Sequence, residues 1–372
     1  MTKMQVPTRF EATTPDFVTA ALRSTGTIDA DTEVAEVEID QIGEGVGLMC
    51  TLARLTLRYR GAAHGAPSSV ILKVPSEIPE NRRVGDHFNF YEREGRFYEH
   101  IGQSIAVRTP NCLFNHLDVA GNRFALLLED FGGRTMVSQI AGMPVERATE
   151  AVKAIAAVHA QWWDTPAVHA LDWMPRLTDP PNSTAGGSYR EAWPRFVELF
   201  GADLPEGSLG LGERVGADFE AIQEELFGRA PMTVCHGDFR ADNLMFDDTV
   251  DGKDHVGVLD WQIAMRSLGI GDVAYMISQS MTADDRRAHD RTLVETWYDA
   301  LCSSLGSPPA GYSLEDAWDG YRGAMATMTV YAVVGGGQLD PSNERGRELV
   351  HDMSVRSFSA ALELDAATLI PT

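Results

Sequence analysis

One short run constrains this 372-residue chain more than any other: His236-Gly237-Asp238-Phe239-Arg240-Ala241-Asp242-Asn243. It runs directly into Leu244-Met245-Phe246, a β-like triplet. A polar turn over residues 247–254 follows, and then Val256-Gly257-Val258-Leu259, a second β-like run that ends on Asp260. The pattern is H-x-D-x-x-x-x-N, strand, turn, strand, Asp. It sets two carboxylates and an amide on two neighbouring segments. Loop Asp and Asn residues commonly do no more than close turns on their own backbone. Here the fixed spacing and the second acid at a strand end point instead to a reacting site.

Those groups suit phosphoryl transfer. The reaction needs a carboxylate beside the acceptor hydroxyl, and Asp238 can orient that hydroxyl and take its proton. It needs hard oxygen ligands for Mg²⁺. Asn243 and Asp260 supply them from two adjoining segments. It also needs a cation near the transferring group, and Arg240 stands two residues after Asp238.

The rest of the chain segregates its elements. Thr14-Pro15-Asp16 is a helix start, with Thr as cap and Pro at the first helical position, and predicts a helix to about Ser24. Val34, Val37 and Ile39 precede Gly43-Glu44-Gly45-Val46-Gly47. Leu52, Leu55, Leu57 and Tyr59 then alternate as in a strand. Val70-Ile71-Leu72-Lys73-Val74 is a compact strand run. Phe90, Phe97, Tyr98 and Ile101 recur at helical spacing, and residues 123–129 read as a buried strand. A break over residues 129–134 precedes mostly helical patterns, such as residues 146–163 with Ala151, Ile155 and Val158 on one face. Residues 164–212, rich in Pro, Gly, Trp and Tyr, are the least regular. Strands first and helices after predict an α+β fold in two lobes. Residues 1–129 would form a small β-rich N-lobe with an N-terminal helix. Residues 130–372 would form a larger, mostly helical C-lobe with the catalytic loop and the acceptor site.

Composition excludes some partners. Lys and Arg number 31 against 54 Asp and Glu, a net charge of −23. Nucleic-acid binding draws much of its affinity from cations that neutralise phosphates, so nucleic acid is not expected as a partner. Charge-driven attachment to an anionic membrane is excluded on the same ground. No apolar run reaches the roughly 20 residues a membrane span requires. The N-terminal residues carry no signal-peptide pattern. Cys50, Cys112, Cys235 and Cys302 show no metal-ligand spacing. A cytoplasmic protein with unpaired thiols is the expectation.

The sequence resembles the aminoglycoside phosphotransferase superfamily, which has a protein-kinase-like fold. The residues that carry this are Leu-Leu-Leu-Glu-Asp-Phe (126–131), the run 236–243, and Leu-Asp-Trp-Gln (259–262) followed by Asp272-Val273-Ala274-Tyr275. Within the superfamily they look most like the ecdysteroid-kinase-like, choline-kinase-related branch. The resemblance covers roughly residues 30–300. It implies ATP and Mg²⁺ as cofactors, with GTP an open alternative as donor, and a small-molecule hydroxyl as acceptor. Gly43, Gly45 and Gly47 correspond to a nucleotide-covering glycine loop. Lys73 matches the phosphate-binding lysine. Its carboxylate partner is sought among Glu92, Glu94 and Glu99, of which Glu94 fits the pattern Glu-x-x-Phe-Tyr. Glu129 and Phe131 fall where backbone groups would meet the adenine edge. His236 reads as a brace of the loop, Asp272 as its anchor, and His159 as a core histidine.

The acceptor is less constrained. Trp162, Trp163, Trp173, Tyr189, Trp193, Trp297, Trp318, Tyr321 and Tyr331 are core residues or line an acceptor cleft. A cleft lined by them would take a large apolar body with one hydroxyl: a steroid, terpenoid, polyketide or hydroxyacyl compound. An aminoglycoside or other antibiotic would need several carboxylates converging on its amines, for which residues 213–225 and 284–299 are candidates. A catalytically inactive kinase-like binding module is the alternative of another class.

Overall fold

The computed structural model describes residues 5–43, 49–61, 63–120, 123–228, 231–338 and 344–370. The chain divides into two compact units, residues 1–104 with 109–133, and residues 105–108 with 134–372.

The smaller unit is built on one antiparallel sheet. Helix α1 (Pro15–Ser24) starts where Thr14 accepts the Phe17 N–H through its Oγ1 at 3.2 Å. Strands β1 (Glu33–Ile42), β2 (Cys50–Arg60) and β3 (Ser69–Pro75) follow. Then come α2 (Pro79–His87), α3 (Phe90–His100), β4 (Cys112–Asp118) and β5 (Arg123–Glu129). The sheet order is β1-β2-β3-β5-β4. Strand side chains alternate between faces, and this assigns each residue of β3 a side. Val70, Leu72 and Val74 join Leu55, Ala125 and Leu127 in a core that α1 covers with Phe17, Val18, Ala21 and Leu22. Lys73, between Leu72 and Val74, faces the other way, and α3 packs beside β4 and β5. Gly95 permits that approach: a Cβ there would stand 3.2 Å from the Leu117 side chain, and the Gly95 carbonyl accepts the Asn115 amide at 2.7 Å.

The larger unit is mostly helical. It contains β6 (Thr135–Met136), α4 (Val145–Trp162), α5 (Pro166–His169), α6 (Ala185–Phe200), α7 (Ser208–Phe227) and β7 (Thr233–Cys235). Strands β8 (Leu244–Phe246), β9 (Val256–Val258) and β10 (Met265–Ser267) precede helices α8 (Ile270–Ser280), α9 (Ala283–Leu305), α10 (Leu314–Gln338) and α11 (Glu344–Glu363). β6, β8 and β9 form one small sheet, and β7 pairs with β10. The irregular reading of residues 164–212 is corrected by α6 and the start of α7. Tyr189, Trp193, Phe196 and Phe200 form a helical stripe of stacked and tilted rings along α6. That aromatic burial carries the helix through Pro194, a residue that normally weakens a helix interior. Among the described residues, no helix is long and apolar enough to cross a membrane.

Candidate active site

In the smaller unit, the Lys73 ammonium lies 2.8 and 2.7 Å from the two carboxylate oxygens of Glu94. Their side chains are only 4% and 1% exposed. Of the three candidate acids, Glu94 is therefore the partner of Lys73. Glu92 instead pairs with Arg96 and Glu99 with His100. A charge pair buried this deeply is maintained only with its partner in place.

Gly43 ends β1's flank with φ +69°, a left-handed conformation that suits glycine. Gly45 and Gly47 lie outside the described residues. Glu129 closes β5; its N–H donates to the Asn111 carbonyl at 2.9 Å, and its Oε2 accepts the Asn111 N–H at 3.1 Å. The Glu129 N–H is thus already bonded within the protein. It is not a spare donor for a nucleobase. Phe131 is buried. Between them, Asp130 accepts both Arg54 Nε at 2.7 Å and Arg54 Nη2 at 3.1 Å. It also accepts the Ser69 hydroxyl at 2.8 Å and the Gly132 N–H at 2.9 Å. Burial alone would raise the Asp130 pKa, but the Arg54 and Ser69 hydrogen bonds outweigh it and hold the carboxyl below its usual range. These contacts span 76 and 61 positions, so no local pattern encodes the bracket.

In the larger unit, the loop joining β7 to β8 carries Asp238. The Asp272 carboxylate takes the first two loop N–H groups: His236 N donates to Oδ2 at 2.7 Å and Gly237 N to Oδ1 at 2.9 Å. The His236 ring then braces the turn. Its Nε2–H donates to the Leu259 carbonyl at 2.8 Å, which leaves Nδ1 to accept the Asp238 N–H at 3.1 Å. Gly237 has φ +80°, and a Cβ there would stand 2.5 Å from the Ile263 carbonyl oxygen. A side chain is excluded twice, by conformation and by space.

The Asp238 carboxylate is buried and receives three donors. Oδ1 accepts Arg240 Nε at 3.1 Å and the Tyr275 hydroxyl at 2.8 Å. Oδ2 accepts Asn243 Nδ2 at 2.8 Å. Arg240 reaches on to Asp242 Oδ2 at 3.0 Å and Gln139 Oε1 at 2.8 Å. Burial on its own would lower the Arg240 pKa; Asp238, Tyr275 and Asp242 outweigh it and raise it, so the cation is fixed. Burial, reinforced by the Asp238 charge, pushes the Tyr275 hydroxyl well above its ordinary value, so it remains a donor. Tyr331 stacks on Tyr275 at 4.1 Å and donates to the Gly237 carbonyl at 2.7 Å. Tyr275, Gln139 and Tyr331 complete the support of the loop, and the motif itself predicts no role for the first two. Tyr275 had a legible signal: it follows Asp272 by three positions, on the same helical face.

Asp260 ends the run after β9 with φ 62° and ψ 70°, and accepts Gln262 Nε2 at 3.4 Å. The Leu259 N–H donates to the Asn243 carbonyl at 2.9 Å, which ties the two segments together. The Asn243 amide nitrogen is committed to Asp238, so its oxygen is the group's remaining ligand atom. An amide oxygen and a carboxylate form the hard donor set that Mg²⁺ takes, and the residues present fit the ion.

A second grouping, His159, Cys235 and Asp272, is close enough to suggest a metal site. Its hydrogen bonds argue otherwise. His159 Nδ1 accepts the Trp297 indole N–H at 3.0 Å, so Nε2 carries the proton and donates to Asp272 at 3.2 Å. Burial pushes the Cys235 thiol well above its ordinary pKa, against forming the thiolate a metal needs. His159 serves the loop by orienting Asp272. Of the aromatic residues, Tyr189, Trp297 and Tyr321 are fully buried core, whereas Tyr331 reaches the loop.

Comparison with known proteins places this geometry in context. The sequence profile of the phosphotransferase enzyme family matches residues 62–318. None of the curated proteins compared matches the chain. Among solved structures, the choline kinase of Cryptosporidium parvum is similar with a TM-score of 0.55 at 9% identity, over 90% of this chain and 92% of that one. The choline kinase LicA of Streptococcus pneumoniae gives 0.51 at 12% identity, over 90% and 95%. The GDP complex of an aminoglycoside 2'-phosphotransferase-IIIa mutant gives 0.51 at 14% identity, over 95% and 98%. At these identities the structures share a fold with this chain, a kinase-like one.

Proposed function

The chain belongs to the phosphotransferase enzyme family, and on that premise we propose that it transfers the γ-phosphate of ATP to a hydroxyl of a small molecule in a Mg²⁺-dependent reaction. The observation that carries the reading is the Asp238 carboxylate: three donors fix it, and Oδ2 has a lone-pair direction left for an incoming hydroxyl. Asp238 orients the acceptor and takes its proton. Asn243 and Asp260 hold Mg²⁺, which would neutralise developing charge on the phosphoryl group. Lys73, aligned by Glu94, binds nucleotide phosphate. Arg240 holds Asp238 in place. Gly43, Gly45 and Gly47 cover the nucleotide, and the segment containing Glu129 and Phe131 borders the base.

For the acceptor, an apolar body with one hydroxyl is favoured over a polycation. Four acids of the stretches that a polyamine would require are engaged by arginines. Glu220 pairs with Arg190, Asp284 with Arg287, Asp290 with Arg286 and Glu295 with Arg291. The first joins α6 to α7 and the other three lie within α9. Calorimetric titration tests the nucleotide half of the proposal. ATP with Mg²⁺ should bind wild type saturably, and Asp260→Ala should abolish the metal dependence. Failure of wild type to bind any nucleoside triphosphate would support the inactive-module reading instead.

A further inference from the structure

Behind the catalytic loop the larger unit contains a cavity that none of the roles above uses. It offers about 50 Å³ to water-sized occupants, among α7, α8, α10 and the β7–β10 pair. The wall is mostly apolar, with Phe219, Phe227, Met265, Leu268 and Met328. Two polar side chains interrupt it: Gln223 from α7, 4% exposed, and Ser267 from β10, 7% exposed. Neither the Gln223 amide nor the Ser267 hydroxyl has a hydrogen-bond partner among the described residues.

The other polar groups of the wall are committed. Asp272 receives His236 N, Gly237 N and His159, the Thr327 hydroxyl donates to the Ala324 carbonyl, and Tyr331 donates to Gly237. Buried polar groups are normally satisfied, and leaving them unmade is costly. Two such groups facing one cavity point to an occupant that supplies their partners. A cavity lined only by hydrocarbon would stay dry and take an apolar guest, whereas polar groups on the wall admit a hydrogen-bonding one. The one charge on the wall, the Asp272 carboxylate, is already engaged by the His236 and Gly237 N–H groups and His159, so a charged guest would be desolvated without a partner of its own. At about 10–15 Å³ per water-sized occupant, the space holds on the order of four such groups.

We propose that this cavity is a binding site for a small neutral organic molecule, with an apolar body and one hydroxyl or carbonyl that Gln223 and Ser267 engage. A short alcohol, ketone or carboxamide has that chemistry. The wall reaches Asp238 only through Tyr275 and the adjoining Gly237, so the occupant sits against the loop's supports and is distinct from the phosphoryl acceptor. The site stands independently of the phosphotransferase reading.

Saturation-transfer NMR on the full chain tests it, with cyclopentanol and isobutyramide as neutral probes and tetramethylammonium chloride as a charged one. Wild type should bind both neutral probes saturably and the cation not at all. Gln223→Leu and Ser267→Ala should each weaken binding about three- to tenfold, the worth of one hydrogen bond. Without probe, Gln223→Leu should melt at or above the wild-type temperature, because an unpaired amide leaves the interior. The proposal is overturned if folded wild type binds neither neutral probe, as when water alone fills the space. It is equally overturned if both variants bind like wild type, or if the cation binds as tightly.

Discussion

Lys73 and Asp238 are fixed by opposite means. Lys73 is held against Glu94 with almost no solvent, whereas the Asp238 carboxylate is held by three donors. For Lys73, removing the cation leaves Glu94 buried and uncompensated. Lys73→Ala should therefore lose about 3–5 kcal/mol of stability in urea unfolding. The double variant Lys73→Met with Glu94→Leu should recover most of that loss but bind nucleotide weakly. A single variant as stable as wild type would show that the pair is not closed in solution. Both residues were legible in the sequence for the same reason: each breaks its surroundings, Lys73 as a lone cation in an apolar strand and Asp238 through fixed spacing to Asn243. Gln139 was not, because its contact with the loop spans 101 positions and no local pattern encodes it.

At the scale of elements, β3 shows how alternation does two jobs. Its even-numbered apolar residues fill the core under α1, and its one cation turns to the opposite side. The strand after it in the sheet, β5, is followed by Asp130, which holds β2 through Arg54 and β3 through Ser69. The folded-state pKa of Asp130 lies below its unfolded value of about 3.9, so its contribution is present above that value and is lost as pH falls through the folded one. Stability measured from pH 6 down to 2 should decline over that window, and Asp130→Asn should flatten part of the decline. An identical pH profile in the variant would remove this role. Before residue 130, α1, β2, β3, α3 and β5 were legible in their apolar patterns, whereas the polar α2 and the mixed β4 carry no such pattern. The α6 helix was illegible because Gly186, Gly187 and Pro194 interrupt its pattern, while its aromatic stripe is stabilised by partners on other helices, such as Phe219 and Phe358.

For the whole molecule, the charge of −23 is a global condition rather than a site. Spread over one chain it opposes compaction, and at about 0.15 M salt its range shrinks to roughly 8 Å. Raising salt from low millimolar to physiological strength should therefore raise the melting temperature; a fall would mean that the surface ion pairs outweigh the net repulsion. Lys73 in one unit and Arg240 in the other are each buried beside carboxylates that fix their positions. The two-lobed α+β expectation rested on the segregation of strands from helices, and the structure has an antiparallel-sheet unit and a mostly helical one. The central claim is that Asp238 drives phosphoryl transfer to a hydroxyl. Its most direct test is mass spectrometry of a panel of sterols, macrolides, aminoglycosides and hydroxyacyl thioesters incubated with ATP, Mg²⁺ and enzyme. Wild type should add one phosphate to at least one hydroxylated compound, and folded Asp238→Asn should do so about 10²–10⁴ times more slowly. Equal rates for the two proteins on the same acceptor would contradict the account.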